Sequence, residues 1–244
     1  MKKKYRLLED DTITVDGRTL YQIEALRDFT DVRIGDKGGY VKSEDNLSHD
    51  GNCWVYDDAW VYGKAWVYGN AKVSGDALVC GKAEVSDDAV VCGNAEVSDD
   101  AVVCGNAEVY GKAEVSDDAV VCGNAEVYGK AEVYGYAWVF GNAEVSDDAV
   151  VCGNAEVYGK AEVSGNAVVR SMRDYVVFKN IWSSGRYFTY TRSNRMWKVG
   201  CFYGTGEELI KKAYKDSEVS GREYKRVVEY VEAMYADLEN DKSK

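Results

Sequence analysis

From residue 54 to residue 169 one short pattern of apolar and polar positions recurs without a break. A valine stands at every sixth position from Val55 to Val169, 20 in all, and an alanine follows four residues after each but the last, from Ala59 to Ala167, 19 in all. The unit reads x-Val-x-(Gly/Asp)-(Asn/Lys/Asp)-Ala, as in Trp60-Val61-Tyr62-Gly63-Lys64-Ala65. A period of six matches neither the 3.6-residue turn of an amphipathic helix nor plain strand alternation. It predicts a short strand with Val inward and its two neighbours outward, then a corner at the Gly/Asp and Asn/Lys pair, with Ala pointing back inside. Gly, Asn and Asp suit such corners because they tolerate positive φ.

Three such sides close an 18-residue triangular coil, and parallel-strand hydrogen bonds stack coils about 4.8 Å apart. Residues 54–169 then supply a little over six coils, a prism roughly 30 Å long. The string EVSDDAVVCGNAEV recurs unchanged from Glu84, Glu96, Glu114 and Glu144, a mark of recent duplication. Proline is absent from all 244 residues, as it must be from most of such a rod, because it would delete a ladder donor at almost any position.

This unit resembles the left-handed parallel β-helix of hexapeptide-repeat proteins, in which an aliphatic residue is followed four later by Ala, Ser, Thr or Val. Here the small residue often found just after the aliphatic is Tyr, Ser or Cys. The resemblance implies a mainly β fold related to the trimeric acyltransferase-like superfamily, whose enzymes typically use a histidine on a coil as general base and a protruding loop to shape an acyl-CoA slot. In this chain the coils from 54 to 169 contain neither a histidine nor an interruption.

The organisation expected is an N-terminal β-hairpin cap over residues 1–47, the β-helix over 48–170 and a small α+β domain over 171–244. In the cap, Tyr5–Leu8, Thr12–Val15 and Thr19–Ala25 have strand character, and Asp16-Gly17 is a hairpin turn signal. Asp28-Phe29-Thr30-Asp31-Val32, Gly35, Gly38-Gly39-Tyr40-Val41, Asp45-Asn46-Leu47-Ser48 and Cys53-Trp54-Val55-Tyr56 resemble the N-terminal segment of bacterial and phage (prophage) hexapeptide-repeat proteins, often labelled acetyltransferase-like. That resemblance implies a prophage-type origin and a β-helix but no established activity, and no catalytic residue is carried over from it. In the last segment Tyr175–Ile181, Arg186–Thr191 and Met196–Tyr203 read as three antiparallel strands. Thr205 with Glu208, and Ser220 with Glu223, read as capping boxes opening two helices.

Residues 18 apart stack on one side, so surface ladders can be written from the sequence. One carries Glu108, Glu126, Glu144 and Glu162; another carries Glu96, Glu114 and Glu132. Lys112, Lys130 and Lys160 stand where they could relieve the repulsion. The ladders read either as a solvated face or as an acidic surface for a basic protein, including one that mimics a nucleic-acid backbone. Trp54, Trp60, Trp66, Tyr56, Tyr62 and Tyr68 fall at outward positions of the first coil, a patch that calls for cover by an end segment, an interface or, less readily, a carbohydrate. Cys80, Cys92, Cys104, Cys122 and Cys152 take the outward place after a valine, and Cys104 and Cys122 are neighbours on adjacent coils. The odd total of seven, without zinc-ligand spacing, reads as reduced thiols. His49, the only histidine, is expected to point inward in a degenerate first coil, with Cys53 at the alanine place.

Charge sharpens the functional reading. The net charge is -12, divided as -2 over residues 1–53, -14 over 54–169 and +4 over 170–244. Arg186, Tyr190, Arg192, Arg195 and Trp197 interleave basic and aromatic side chains near the C-terminus, as a surface for nucleic acid or an acidic partner would. No apolar run approaches a membrane span and no signal-peptide core follows Met1, so the reading is cytoplasmic. Together these features point to a non-enzymatic phage-type scaffold binding a macromolecule, protein before nucleic acid, with no cofactor and no metal, and open to homo-oligomerisation. The alternatives are a counter-defence inhibitor mimicking nucleic acid, and an acyltransferase whose slot forms between subunits.

Overall fold

A computed structural model describes residues 3–241. The chain is mainly β. An antiparallel hairpin, β1 (Tyr5–Val15) and β2 (Arg18–Ala25), leads into β3 (Lys37–Val41). Twenty two-residue strands follow, β4 to β23, from Trp54–Val55 to Val168–Val169 at six-residue intervals. They build a parallel β-solenoid with three sides. The first side runs β5-β8-β11-β14-β17-β20-β23 and is extended to ten strands by β3, β2 and β1. The second side has seven strands, β4 to β22, and the third has six, β6 to β21.

The reason is local. Each repeat valine and each repeat alanine in the rod is buried to within 1% of completely. The residue before the valine, the one after it and the second corner residue each donate a backbone N–H to the next coil. Glu108 N–H reaches Ala125 O at 2.9 Å, Tyr110 N–H reaches Val127 O at 3.0 Å and Lys112 N–H reaches Gly129 O at 2.7 Å. Three donors in every six residues explain why proline is excluded. The first corner residue is left-handed throughout, at φ 77 for Gly111 and φ 57 for Asp117. Where aspartate takes this place beneath a glycine, its carboxylate accepts the glycine N–H of the next coil, as Asp117 does from Gly135 and Asp147 from Gly165, both at 3.0 Å.

The solenoid begins earlier than the valine period indicates. Val41 pairs with Val61, and Leu47 bridges to Val67. Counting these, there are about seven turns, one more than expected, on a second side of seven strands. Both pairs are 20 apart, whereas Val55 and Val73 are 18 apart, so two extra residues lie between Leu47 and Val55. The cap also departs in detail: the two expected strands Tyr5–Leu8 and Thr12–Val15 are one strand with an irregularity between Leu8 and Thr12. The turn residues Asp16 and Gly17 have φ 49 and 71, as a tight hairpin demands.

After the rod, four antiparallel strands, not three, form a sheet: β24 (Tyr175–Lys179), β25 (Tyr187–Thr191), β26 (Met196–Val199) and β27 (Phe202–Gly204). The segment expected as one strand folds back at Gly200, whose φ is 53, and Val199 pairs with Phe202. Two helices cover the sheet, α1 (Gly206–Asp216) and α2 (Glu218–Asp241). Thr205 and Glu208 do form a capping box. The second helix starts a turn before the expected Ser220: Ser217 accepts the Ser220 N–H at 3.0 Å, and Ser220 is interior. Among the described residues no helix is long and apolar enough to cross a membrane.

Candidate interaction surface

Strand register brings the ladder glutamates together. On the second side Glu108, Glu126, Glu144 and Glu162 are consecutive register partners; on the first, Glu96, Glu114 and Glu132 are. Successive carboxylates are therefore one strand spacing apart, about 4.8 Å at the backbone. Glu108, Glu114 and Glu132 are exposed, and the other four are half-buried. Burial and then the neighbouring Glu114 push the Glu96 carboxyl above the usual range; burial and Glu144 do the same to Glu162.

Two of the three lysines expected to relieve this charge have other company. Lys130 pairs with Asp148 at 3.6 Å, and Lys160 lies over the Tyr187 ring at 5.5 Å. Tyrosines take up part of the task. Tyr110 donates to Glu126 at 3.0 Å, Tyr128 to Glu144 at 3.3 Å and Tyr68 to Glu84 at 3.3 Å. In each case the acceptor is 16 residues ahead, where the next coil carries a glutamate; Tyr56, Tyr62 and Tyr134 meet Lys72, Leu78 and Val150 at that spacing instead. Burial, foremost, and the Glu126 bond raise the Tyr110 hydroxyl well above its ordinary range, and burial raises Tyr128 as well. Tyr110 and Tyr128 also stack, with centroids 5.0 Å apart.

The third side is different. Its outward residues are Trp66, Glu84, Val102, Val120, Trp138 and Glu156 in register. Trp66 is 43% exposed and Trp138 49%.

Of the first-coil aromatics, the N-terminal cap covers some. Trp54, expected outward, is 1% exposed, with Phe29 at 5.3 Å and Tyr5 at 6.1 Å between ring centroids. Tyr62 is buried, with Arg18 above its ring at 5.5 Å, and Tyr56 donates to Asp31 at 2.8 Å. Trp66 keeps its exposure and stacks on Tyr68 at 4.0 Å.

His49 does not occupy an inward valine station. The two-residue insertion puts Leu47 there, fully buried, and leaves His49 half-buried against Tyr5, with ring centroids 4.4 Å apart. Its Nδ1 accepts the Lys4 N–H at 3.2 Å, and its Nε2 lies 3.4 Å from Glu44. Cys53 does fill the alanine place, fully buried. Beside it lies Lys4, also fully buried, whose Nζ donates to Cys53 O at 2.8 Å and Cys53 Sγ at 3.2 Å; burial lowers the Lys4 pKa.

The C-terminal residues read as one basic-aromatic surface are divided by the fold. Arg186 and Arg195 are exposed and Arg192 is half-buried over the Tyr235 ring at 5.5 Å. Tyr190 and Trp197 are not surface residues: they are 3% and 0% exposed. They are register partners on the sheet face that the helices cover, 5.0 Å apart, and Tyr190 meets Tyr235 of α2 at 5.4 Å. A four-stranded sheet with two amphipathic helices must hide one face, and the largest rings go there. The same sheet docks on the last coil through side-chain hydroxyls that occupy otherwise open ladder donors. Glu162 N–H reaches Thr189 Oγ1 at 2.9 Å, and Val168 N–H reaches Ser193 Oγ at 2.7 Å.

Two of the clefts at this end share Arg186 in their lining. One of about 400 Å³ has Arg186, Lys212, Phe202, Leu209 and Tyr224 in its lining. The other, about 360 Å³, lies where Glu144, Lys160 and Glu162 of the rod face Arg186 and Tyr187. Among the described residues no three His, Cys, Asp or Glu side chains are grouped to hold a metal ion, and the seven cysteines are free thiols. Cys152, expected outward, is buried.

No protein-family model matches the chain. Over 62 residues it is 42% identical to a protein of Escherichia coli (strain K12) named "Uncharacterized acetyltransferase YdcK". The similarity covers 22% of this chain and 19% of that protein, so it spans about a fifth of the relative's length.

Proposed function

We propose that the protein is a non-catalytic binding scaffold whose acidic rod engages a positively charged surface of a macromolecule, a protein in preference to a nucleic acid. The observation that carries this reading is the pair of in-register glutamate ladders on two sides of the solenoid. A polyanionic face at this spacing repels nucleic acid and attracts Lys- and Arg-rich surfaces. The environment of the single histidine points the same way. With Nδ1 engaged by a backbone N–H and the ring packed on Tyr5, His49 is held as a structural part of the cap, away from the ladders. The resemblance of residues 28–56 to phage-type proteins supplies a setting in which such a scaffold would meet a host protein, and an inhibitor that mimics nucleic acid would use the same ladders.

The name given to YdcK and the solenoid itself favour the competing reading of an acyltransferase. Two measurements separate them. Acetyl-CoA turnover with a panel of amine and hydroxyl acceptors should stay at background; robust turnover abolished by His49→Ala would overturn the scaffold reading. Capture of partners by the immobilised protein should fall at least tenfold between low and high salt, and fall likewise in a variant carrying Glu108→Gln, Glu126→Gln and Glu144→Gln. Salt-insensitive capture, or capture unchanged by the triple substitution, would remove the ladders from the function.

A further inference from the structure

Five cysteines follow a repeat valine in the rod, but only Cys104 and Cys122 are 18 residues apart. In their rows Cys80 lies between Tyr62 and Ser98, Cys92 between Ser74 and Tyr110, and Cys152 between Tyr134 and Arg170. Strands β12 and β15 pair in parallel with Val103 opposite Val121, so the two cysteines leave the same corner of the third side on successive coils. The Cys104 N–H donates to Val121 O at 3.0 Å, and the two thiols act on each other's titration. Both are half-buried, within reach of solvent. A disulfide needs Cα atoms about 4.4–6.8 Å apart, and register partners on parallel strands at about 4.8 Å meet that need.

We propose that Cys104 and Cys122 are a disulfide-forming pair that staples two successive coils, with a small organic disulfide such as oxidised glutathione as the oxidant. The thiolate of one of the pair attacks one sulfur of the small disulfide; that S–S bond breaks, and the departing thiolate takes up a proton. The other cysteine then loses its proton and attacks the protein sulfur of the mixed disulfide, releasing the second small thiol. The protein loses two hydrogens and one small disulfide becomes two thiols. Burial raises both cysteine pKa values, so the reactive thiolate becomes more abundant and the reaction faster as pH rises. The link would tie two coils otherwise joined there only by ladder bonds, and closing that loop restricts the unfolded chain.

The test treats the full chain with oxidised glutathione, alkylates remaining thiols and maps tryptic fragments. Cleavage after Lys82, Lys112 and Lys130 places Cys104 and Cys122 in different fragments, 83–112 and 113–130. Two of the seven thiols should disappear, the fragments should be cross-linked, and reductant should reverse both changes. The cross-link should persist in Cys92→Ser, which shares a fragment with Cys104, and vanish in Cys104→Ser and Cys122→Ser. Those variants keep the fold, because serine holds the same station at Ser86 and Ser98. Glutathione adducts without a cross-link, a cross-link that survives Cys122→Ser, or seven thiols still free after prolonged exposure would each overturn the pair.

Discussion

In the rod, Val109 has Val91 on one side and Val127 on the other, and each buried valine along its side meets the same neighbours. In the C-terminal unit, Trp197 packs on Phe188 and Tyr190 beneath two helices, and no other position among the described residues repeats that environment. The first region is a stack in which each coil contacts only its neighbours, so its stability is a sum of many similar local terms. The second depends on one small aromatic cluster, in which a single loss is felt throughout. Redundancy makes the rod tolerant and adjustable in length; uniqueness makes the end unit brittle.

The largest expected effect breaks the brittle side. Trp197→Ala should cost the end unit about 3–5 kcal/mol, as loss of a buried large aromatic does, and expose the amides of β24 to β27 to hydrogen exchange. Amides of the central coils should keep their protection. Equal loss in both regions would show that rod and end unit unfold as one body.

A smaller effect probes the rod. Gly111 has φ 77, and a Cβ there would lie 3.0 Å from Gly129 O and 3.1 Å from Gly129 N. Gly111→Ala should cost about 1–2 kcal/mol, the strain of a left-handed alanine, and raise exchange only in the coils holding residues 111 and 129. Exchange spreading into the end unit would contradict the nearest-neighbour picture.

The smallest effect concerns the ladders. The Glu96 carboxyl is raised by burial and by Glu114, so its protonated form is favoured more in the folded chain than in the unfolded one. The stability this confers is complete below the unfolded carboxyl pKa and is lost as pH rises through the higher folded one. Lowering pH from neutral into that window should therefore raise the rod's thermal midpoint. Glu96→Gln at neutral pH should stabilise by a few tenths of a kcal/mol, since cross-strand like-charge pairs at a solvated surface cost little, and should flatten the pH response. A midpoint that falls through the same window, with no gain in the Gln variant, would mean that the ladders carry no net repulsion.

Much of the rod was legible beforehand because its period and the coil geometry are commensurate: six residues to a side and three sides to a coil place every Val, Ala and Glu on a known row. Reading failed where that lattice was broken or absent. His49 escapes the valine lattice because a two-residue insertion between Leu47 and Val55 leaves no mark on the valine period, and only the pairing of Val41 and Leu47 with the next coil reveals it. Trp54 has the same local sequence as Trp60 and Trp66, yet the cap buries it alone to 1% exposure. Tyr190 and Trp197 alternate with arginines as a surface row would, and which face of a sheet meets the helices is settled by packing, not by alternation.

Sequence alone therefore determined the parallel three-sided stack, its valine and alanine interior, the left-handed corners and the vertical neighbours within residues 54–169, because each follows from contacts at a constant separation of 18. Tertiary structure decided what covers the two ends: which aromatics are hidden, how Lys4 and His49 pack in the cap, and how Thr189 and Ser193 occupy the last open donors. Those contacts join segments with no common period, so their partners depend on shape and burial across the whole chain.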